Sequence, residues 1–219
     1  RGDRRFEQDV GPDGSRGKGV SYLDDVIAGG PSEAAGLQGS RQAVRNNNGT
    51  LAAGGDIVTA VARVLQITQP GQWLDPGPLG CLGVGAPFAI AAKHLFPHKK
   101  VLIINGDGAF GLNGFEFDTA LRFNLPIVSI VGNDAGWGNI RLIQQQMIGA
   151  DRAVATSLNP TRYDRIVQAM GGYGEHITDP ADIQPALQRA FASGLPACLN
   201  VTIDPQGLAK TAPNMAYIV

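Results

Sequence analysis

The amino-acid sequence predicts an α/β fold, a parallel β-sheet flanked by helices on both faces, with an irregular N-terminal segment. Two short apolar runs, residues 101–104 and 127–131, each end in a small cluster of Gly, Asp and Asn. The residues between the runs are compatible with a helix. A short apolar run that stops at glycine and is followed by a helical stretch is typical of a βαβ unit. Both polar clusters are therefore expected at the carboxyl ends of strands.

The two clusters predict a site for a metal ion and a phosphate. They are Gly-Asp-Gly at 106–108 and Asn-Asp-Ala-Gly at 133–136, with Asp107 and Asp134 27 positions apart. Ligands of parallel sheets bind beyond the carboxyl ends of the strands, where neighbouring strands would bring these carboxylates together. Mg²⁺ commonly takes one or two carboxylates and completes its shell with phosphate and water. Either cluster alone is explained by a turn, because Gly and Asp are common turn residues. Their joint occurrence favours a diphosphate held through Mg²⁺.

Three segments together resemble one enzyme superfamily. GDGAFG at 106–111, EFDT at 116–119 and VGNDAGWG at 131–138 are similar to motifs of the thiamine-diphosphate-dependent pyruvate oxidase/acetolactate synthase superfamily. Within it they are most similar to the acetolactate synthase-like and 2-hydroxyacyl-CoA lyase branch. The resemblance covers residues 51–204 and implies thiamine diphosphate and Mg²⁺ as cofactors.

The resemblance also implies which residues hold these cofactors. The metal ligands would be the carboxylates of Asp107 and Asp134 and the carbonyl of Gly136. Many relatives have asparagine where this chain has Asp134, and the extra negative charge should tighten Mg²⁺ and make the empty site repulsive. The cofactor-binding positions implied are Gly55, Gly80, Leu82, Gly106, Asp107, Gly108, Ala109, Asp134, Ala135, Gly136, Trp137 and Gly138.

A second glycine-rich stretch, residues 72–85, precedes an expected helix at 86–95. Its glycines permit close approach of the backbone. By resemblance, the Gly80 carbonyl accepts from the amino group of the aminopyrimidine, and Leu82 wedges between the two rings of the cofactor and keeps it bent. For Gly83 and Gly85, a need for close helix packing is an equally simple explanation.

Other elements follow from periodicity and turn chemistry. Residues 86–95 are apolar almost all round, which predicts a helix buried against the sheet. Asn113 is a candidate N-cap, a helix at 162–170 should end at Gly171, and another should start at 179–180 and be shortened or kinked by Pro185. A last strand is expected at 197–203. Leu51 to Asp56 indicates a strand and glycine turn, followed by helical spacing at 57–65.

Composition sets the domain organisation. The 219 residues can form one sizeable core. We expect an irregular linker or domain remnant at 1–50, the cofactor-binding domain at 51–205 and a tail at 206–219. The net charge of −1, without blocks of like charge, does not indicate nucleic acid or a membrane surface as a partner. The lack of a signal peptide or long apolar run predicts a cytoplasmic protein, and Cys81 and Cys198 are expected to be buried thiols.

The catalytic group of the resembled family is not found in this sequence. Family members activate the aminopyrimidine with a glutamate on a separate pyrimidine-binding domain. None of the four glutamates, Glu7, Glu33, Glu116 and Glu175, lies in a matching context. The expected partners are therefore a small-molecule substrate, a pyrimidine-binding domain of the same or another chain, and further copies or subunits in an oligomer.

The resemblance implies a lyase or synthase that breaks or forms C–C bonds in 2-keto acids or in 2-hydroxyacyl- or oxalyl-CoA thioesters. This chain would supply the diphosphate and metal half of the active site. The alternative is a non-catalytic cofactor-binding subunit or fragment. A dinucleotide-binding oxidoreductase domain is the third and least favoured candidate. Trp137 would line the pocket or belong to the core, and Arg141, Gln144 and Gln145 would face substrate or simply form an exposed helix surface.

Overall fold

The computed structural model describes residues 49–54, 72–76 and 80–205. Within them, six strands form one sheet in the order β2-β1-β3-β4-β6-β5, and each neighbouring pair is parallel. The predicted parallel sheet is confirmed. Its strands are β1 (Gly49–Gly54), β2 (Trp73–Leu74), β3 (Lys100–Gly106), β4 (Ile127–Asn133), β5 (Tyr173–Ile177) and β6 (Ala197–Thr202).

Helices connect these strands. They are α1 (Gly85–Leu95), α2 (Asp107–Asn113), α3 (Glu116–Arg122), α4 (Gly138–Ile148), α5 (Tyr163–Ala169) and α6 (Ile183–Ala192), with short 3-10 turns at Ala150–Arg152 and Pro180–Asp182. None of the helices in the described part of the chain combines the length and apolar character needed to cross a bilayer.

The core forms two apolar layers, one on each face of the sheet. On β4, Ile127 and Val131 pack with α1, α2, α3 and α5, whereas Val128 and Ile130 pack with α6. This alternation follows from the two-residue period of a strand. All seven residues of β4 are buried, as a central strand covered on both faces requires. Helices on both faces are thereby confirmed.

Helix α1 is buried along one stripe rather than all round. Ala86, Ala89 and Ala92 face the sheet, whereas the Leu95 side chain is 70% exposed. Small residues let the helix lie close to the strands, and so only this stripe is covered. A Cβ at Gly85 would lie 2.5 Å from Asn105 Oδ1 and 2.8 Å from Ile103 Cγ2. The packing explanation for Gly85 therefore holds.

Residues at the ends of α5 and α6 determine where these two helices stop and start. Gly171, with φ of +101°, follows α5 as predicted. The Asp179 side chain accepts a hydrogen bond from Ala181 N at 2.9 Å, but the segment from Pro180 is a 3-10 turn and α6 begins at Ile183. Pro185 thus lies in the first turn of α6, where a missing N–H breaks no intrahelical bond. The predicted helix is therefore shorter at its start, and α6 runs as one segment from Ile183 to Ala192.

Of the remaining sequence predictions, some are confirmed and others differ from the structure. Strand β1 begins at Gly49, two residues before the predicted start at Leu51. Cys198 is buried as expected, but Cys81 is exposed because it lies in the loop that precedes α1. Residues 1–48, the cofactor position Gly55, the helical spacing at 57–65 and the tail at 206–219 lie outside the described residues.

Candidate functional site

The two predicted turns meet at one edge of the sheet. Strands β3 and β4 pair in parallel, with Gly106 opposite Gly132. Asp107 and Asp134 follow directly after these strands. The sequence prediction that neighbouring strands bring the two carboxylates to the same edge is confirmed.

Asp107 links the two turns. It is the first residue of α2 and is 1% exposed. Its Oδ1 accepts a hydrogen bond from Gly108 N at 2.7 Å, and its Oδ2 accepts one from Gly136 N at 3.0 Å. Burial, followed by the negative charge of Asp134, raises the pKa of Asp107 to about 6 despite these backbone donors. Asp107 is thus a buried carboxylate with a like-charged neighbour.

Asp134 is held by a cation from the next helix. Its side chain is 11% exposed, and its Oδ2 accepts a hydrogen bond from Arg141 Nη2 at 2.7 Å. Burial raises the pKa of Asp134, and the charge and hydrogen bond of Arg141 act in the opposite direction. The ion pair offsets part of the cost of placing a second carboxylate beside Asp107.

The turn that carries Asp134 is held in place by hydrogen bonds of the Asn133 side chain. Its Nδ2 donates to the Thr161 carbonyl at 2.8 Å and to Asn200 Oδ1 at 3.0 Å, while its Oδ1 accepts from Ala135 N at 3.1 Å. Ala135 adopts a φ of +53°, a left-handed conformation that a non-glycine residue seldom takes. The buried Asn133 side chain therefore stabilises a strained turn.

Sequence reasoning missed the partners of Asn133. Asn200 is 1% exposed and lies within the apolar strand β6. Its Nδ2 donates to Asp164 Oδ1 at 3.4 Å, and Arg162 donates two hydrogen bonds to the Asp164 carboxylate. A lone Asn in a buried strand needs partners, and this was the available signal in the sequence.

Glycine is required at three positions of the site by close contacts. A Cβ at Gly108 would lie 2.7 Å from the Trp137 ring, one at Gly136 would lie 2.5 Å from Arg141 Nη1, and one at Gly138 would lie 2.9 Å from Asp134 Oδ2. Gly106 is different, because a Cβ there would meet no described atom within 4 Å. Space beside the backbone at Gly106 is therefore open, as the approach of a ligand requires.

Comparison with known proteins identifies this arrangement. The family model described as "Thiamine pyrophosphate enzyme, C-terminal TPP binding domain" matches residues 53–201, more than half of the chain. Thiamine pyrophosphate is thiamine diphosphate under another name. The chain belongs to the thiamine pyrophosphate enzyme family.

Relatives in this family come from both of the groups that the motifs resemble. A "Probable acetolactate synthase" of Mycobacterium bovis is 45% identical over 74% of this chain and 29% of its own length. The "2-hydroxyacyl-CoA lyase 2" of Caenorhabditis elegans is 44% identical over 59% of the chain and 20% of its own length. The human protein of that name is 36% identical over 76% and 27% respectively. The chain thus spans less than a third of the length of each relative.

In this thiamine pyrophosphate-binding domain, a hydrogen bond joins the loop at 80–84 to α2, the helix that begins in the Gly-Asp-Gly cluster. Asn113 ends α2, and its Nδ2 donates to the Gly83 carbonyl at 3.1 Å. Asn113 is therefore not the N-cap that the sequence predicted. Gly80 has a φ of +59° and Leu82 is 38% exposed. The roles of Gly80 and Leu82 in holding the aminopyrimidine ring stay predictions.

The polar residues near α4 divide into two groups. The half-buried Trp137 packs on Gly108, and Arg141 pairs with Asp134, so both belong to the site. Gln144 Oε1 instead accepts a hydrogen bond from Val154 N at 2.8 Å, which fastens the segment after α4 to that helix. Gln145 is exposed.

The donor set fits a hard divalent cation. It consists of two carboxylates and, by sequence prediction, the carbonyl of Gly136. No group of three or more His, Cys, Asp or Glu side chains in the described part of the chain is arranged to hold a metal. Zinc sites usually need such a group, whereas Mg²⁺ is satisfied by one or two carboxylates with phosphate and water. A cation would also favour the ionised form of Asp107, whose pKa is raised first by burial and then by the negative charge of Asp134.

Proposed function

We propose that this chain binds thiamine diphosphate through Mg²⁺ and supplies the diphosphate and metal half of the active site of a C–C lyase or synthase. The observation that supports it most directly is the buried Asp107 carboxylate. Asp107 begins the GDG helix and accepts a hydrogen bond from Gly136 N, which lies in the second turn. One side chain thus sets the spacing between the two turns from which the metal ligands come.

The chain's own residues would act mainly by binding and orienting. Asp107, Asp134 and the Gly136 carbonyl would hold the ion, and the open space beside Gly106 would admit the diphosphate. Leu82, exposed on the loop before α1, would be available to contact the rings. The bound cofactor would supply a thiazolium that serves as the electron sink for C–C cleavage.

The reaction class is proposed from the relatives. Proteins named acetolactate synthase and 2-hydroxyacyl-CoA lyase 2 both match this chain, which favours a 2-keto acid or an acyl-CoA thioester as the small-molecule substrate. Because the chain spans less than a third of these relatives, a pyrimidine-binding domain with the activating glutamate would come from elsewhere in the same polypeptide or from another chain of an oligomer.

The positions of the two described glutamates support the proposal that the activating glutamate lies on another domain. Glu175 accepts two hydrogen bonds from Arg189, and Glu116 lies in the first turn of α3. Neither is on the turns that carry Asp107 and Asp134. The same observation supports the second candidate function, a cofactor-binding subunit without its own turnover.

The first experiment is calorimetric titration of the chain with thiamine diphosphate, with Mg²⁺ and with EDTA. We expect saturable binding that requires Mg²⁺. If no heat of binding is seen, the titration is repeated with a pyrimidine-binding domain present. Failure to bind in that second titration contradicts the proposed function.

A mixing experiment separates the two candidate functions. The chain is combined with a polypeptide that carries a pyrimidine-binding domain, and release of CO₂ from a 2-keto acid or of product from a 2-hydroxyacyl-CoA is followed. Turnover that appears only on mixing supports the split enzyme. Cofactor binding without turnover in the mixture supports the non-catalytic subunit.

A further inference from the structure

Arg141 lies beside Asp107 and Asp134, the two proposed metal ligands, and contacts Asp134 directly. It lies in the first turn of α4, where its backbone N–H donates to the Trp137 carbonyl at 2.8 Å. Its side chain is 19% exposed and Nη2 donates to Asp134 Oδ2 at 2.7 Å. The same Nη2 donates to the Pro205 carbonyl at 3.3 Å. One guanidinium nitrogen, Nη2, thus holds the side chain by two hydrogen bonds.

The Arg141–Asp134 ion pair lies close against the backbone at residues 136 and 138. A Cβ at Gly136 would lie 2.5 Å from Arg141 Nη1, and a Cβ at Gly138 would lie 2.9 Å from Asp134 Oδ2 and 3.9 Å from Arg141 Nη2. Two glycines of the same turn therefore make room for the ion pair. In the segment Gly-Trp-Gly at 136–138, the two glycines therefore leave the space that the ion pair occupies.

The charges at the site indicate that Arg141 is a counter-charge for the buried carboxylates. Asp107 and Asp134 are both largely buried carboxylates at one sheet edge. Among the described residues, Arg141 is the cation in hydrogen-bond contact with this carboxylate pair. A fixed positive charge bonded to one ligand repels any further cation that approaches the same ligands.

We propose that Arg141 is the counter-charge of Asp134 before a divalent cation binds, and that it limits how tightly that cation is held. This inference rests on the proposed function. Arg141 acts through Asp134 and is a positioning residue. Its charge keeps the empty site stable, and the bound metal shares Asp134 with it. Without the guanidinium, the cation would meet the full charge of both carboxylates.

The test is the affinity of the chain for Mn²⁺ at a fixed, saturating concentration of thiamine diphosphate, read by electron paramagnetic resonance of free Mn²⁺. The variants are Arg141→Gln, which removes the charge, and Arg141→Lys, which keeps it. Arg122→Gln is the matched control, because Arg122 forms an exposed pair with Asp118 on α3. We expect Arg141→Gln to bind Mn²⁺ about tenfold more tightly than the wild type, and the other two variants to stay within about twofold.

A second measurement distinguishes the counter-charge role from a role in the fold. The melting temperature of each variant is recorded in EDTA and in Mn²⁺ with cofactor. We expect Arg141→Gln to be destabilised in EDTA and to gain more from Mn²⁺ than the wild type does, because ligand stabilisation grows with affinity. A variant that folds only with Mn²⁺ supports the proposal in the same way.

The outcomes that overturn the proposal are distinct. Equal or weaker Mn²⁺ binding by Arg141→Gln shows that the arginine orients Asp134 for the metal or is irrelevant to it, and leaves the proposed function standing. A variant that is unfolded with and without Mn²⁺ shows that Arg141 serves the fold. Absence of Mn²⁺ binding by the wild type, both alone and with a pyrimidine-binding domain present, removes the proposed function, and the inference falls with it.

Discussion

The carboxylate of Asp107 and the backbone N–H of Gly136 are joined by a hydrogen bond of 3.0 Å, although the two residues follow different strands. This bond determines where the second turn lies relative to the GDG helix. A carboxylate that accepts two backbone hydrogen bonds is held in place before any ligand arrives. The site is therefore preorganised by a residue that the proposed function also requires as a metal ligand.

Replacement of that carboxylate tests its charge. Asp107→Asn keeps the shape of the side chain and one carbonyl acceptor but removes the negative charge. We expect Mg²⁺-dependent affinity for thiamine diphosphate to fall by more than about tenfold, which corresponds to roughly 1.4 kcal/mol. Calorimetry measures the change. The control is Asp118→Asn on the exposed surface of α3, and equal affinities of the two variants would contradict the metal assignment.

Two glycines of the GDG turn should respond differently to alanine. Gly108→Ala places a Cβ against the Trp137 ring, and overpacking of this kind costs about 1–3 kcal/mol. Gly106→Ala meets no described atom within 4 Å and has an ordinary extended backbone, so its stability should be unchanged. If the open space admits the diphosphate, Gly106→Ala should instead weaken cofactor binding. Denaturant unfolding and calorimetry separate the two effects, and loss of stability in Gly106→Ala would contradict the distinction.

The buried polar contact between Asn133 and Asn200 should contribute to stability. Asn200→Ala leaves the Asn133 amide with one fewer partner and removes a donor to Asp164. A buried polar group that loses its partner costs about 1–3 kcal/mol. Urea unfolding measures the loss. Gln145→Ala, at an exposed position of α4, is the control and should change the unfolding free energy by less than about 0.5 kcal/mol.

The ion pair of Asp164 predicts an acid-sensitive component of stability. Burial alone would raise the pKa of Asp164, but the hydrogen bonds and charge of Arg162 outweigh it and hold that pKa below its usual value. In the unfolded chain an aspartate titrates near about 3.9. Above that pH the ionised, paired carboxylate stabilises the fold in full, and this contribution is lost as the pH falls through the lower folded-state pKa.

The measurement is the unfolding free energy of the wild type and of Asp164→Asn between neutral and strongly acidic pH. We expect the gap between them to be constant above about pH 5 and to shrink as the pH falls below about 4. Asp118→Asn, whose pair with Arg122 is exposed, should show a much smaller gap at every pH. A gap between wild type and Asp164→Asn that widens with acid would contradict the assignment.

The parts of the fold and site that were predictable are those specified by local sequence. The apolar runs that become β3 and β4 end at glycine, and the aspartates that follow are placed by the strands themselves. The contacts that stabilise the turn carrying Asp134 were not predictable, because Asn133 and Asn200 are 67 residues apart. They meet only because β6 lies between β4 and β5. Strand order of this kind depends on packing across the whole sheet.

Two other misses have equally specific causes. The hydrophobic pattern of α1 could not show that Ala86 would be buried and Leu95 exposed, since both residues count equally as apolar in such a pattern. Arg141 was expected to face substrate or solvent. Its contact with Asp134 depends on the close turn at Gly136 and Gly138, a feature of three-dimensional geometry that residue spacing does not specify.

Helix α4 contains no buried residue, and its loop closes where Gly136 pairs with Ser157 and Trp137 N donates to the Thr156 carbonyl. Those closing contacts use the backbone and not the side chains of the helix. Apart from Gly138, Arg141 and Gln144, selection for a stable fold therefore places little constraint on the sequence of α4. Substitutions can accumulate on this helix while the turn at 133–138 is preserved, so the surface beside that turn can diversify without any change to the turn itself.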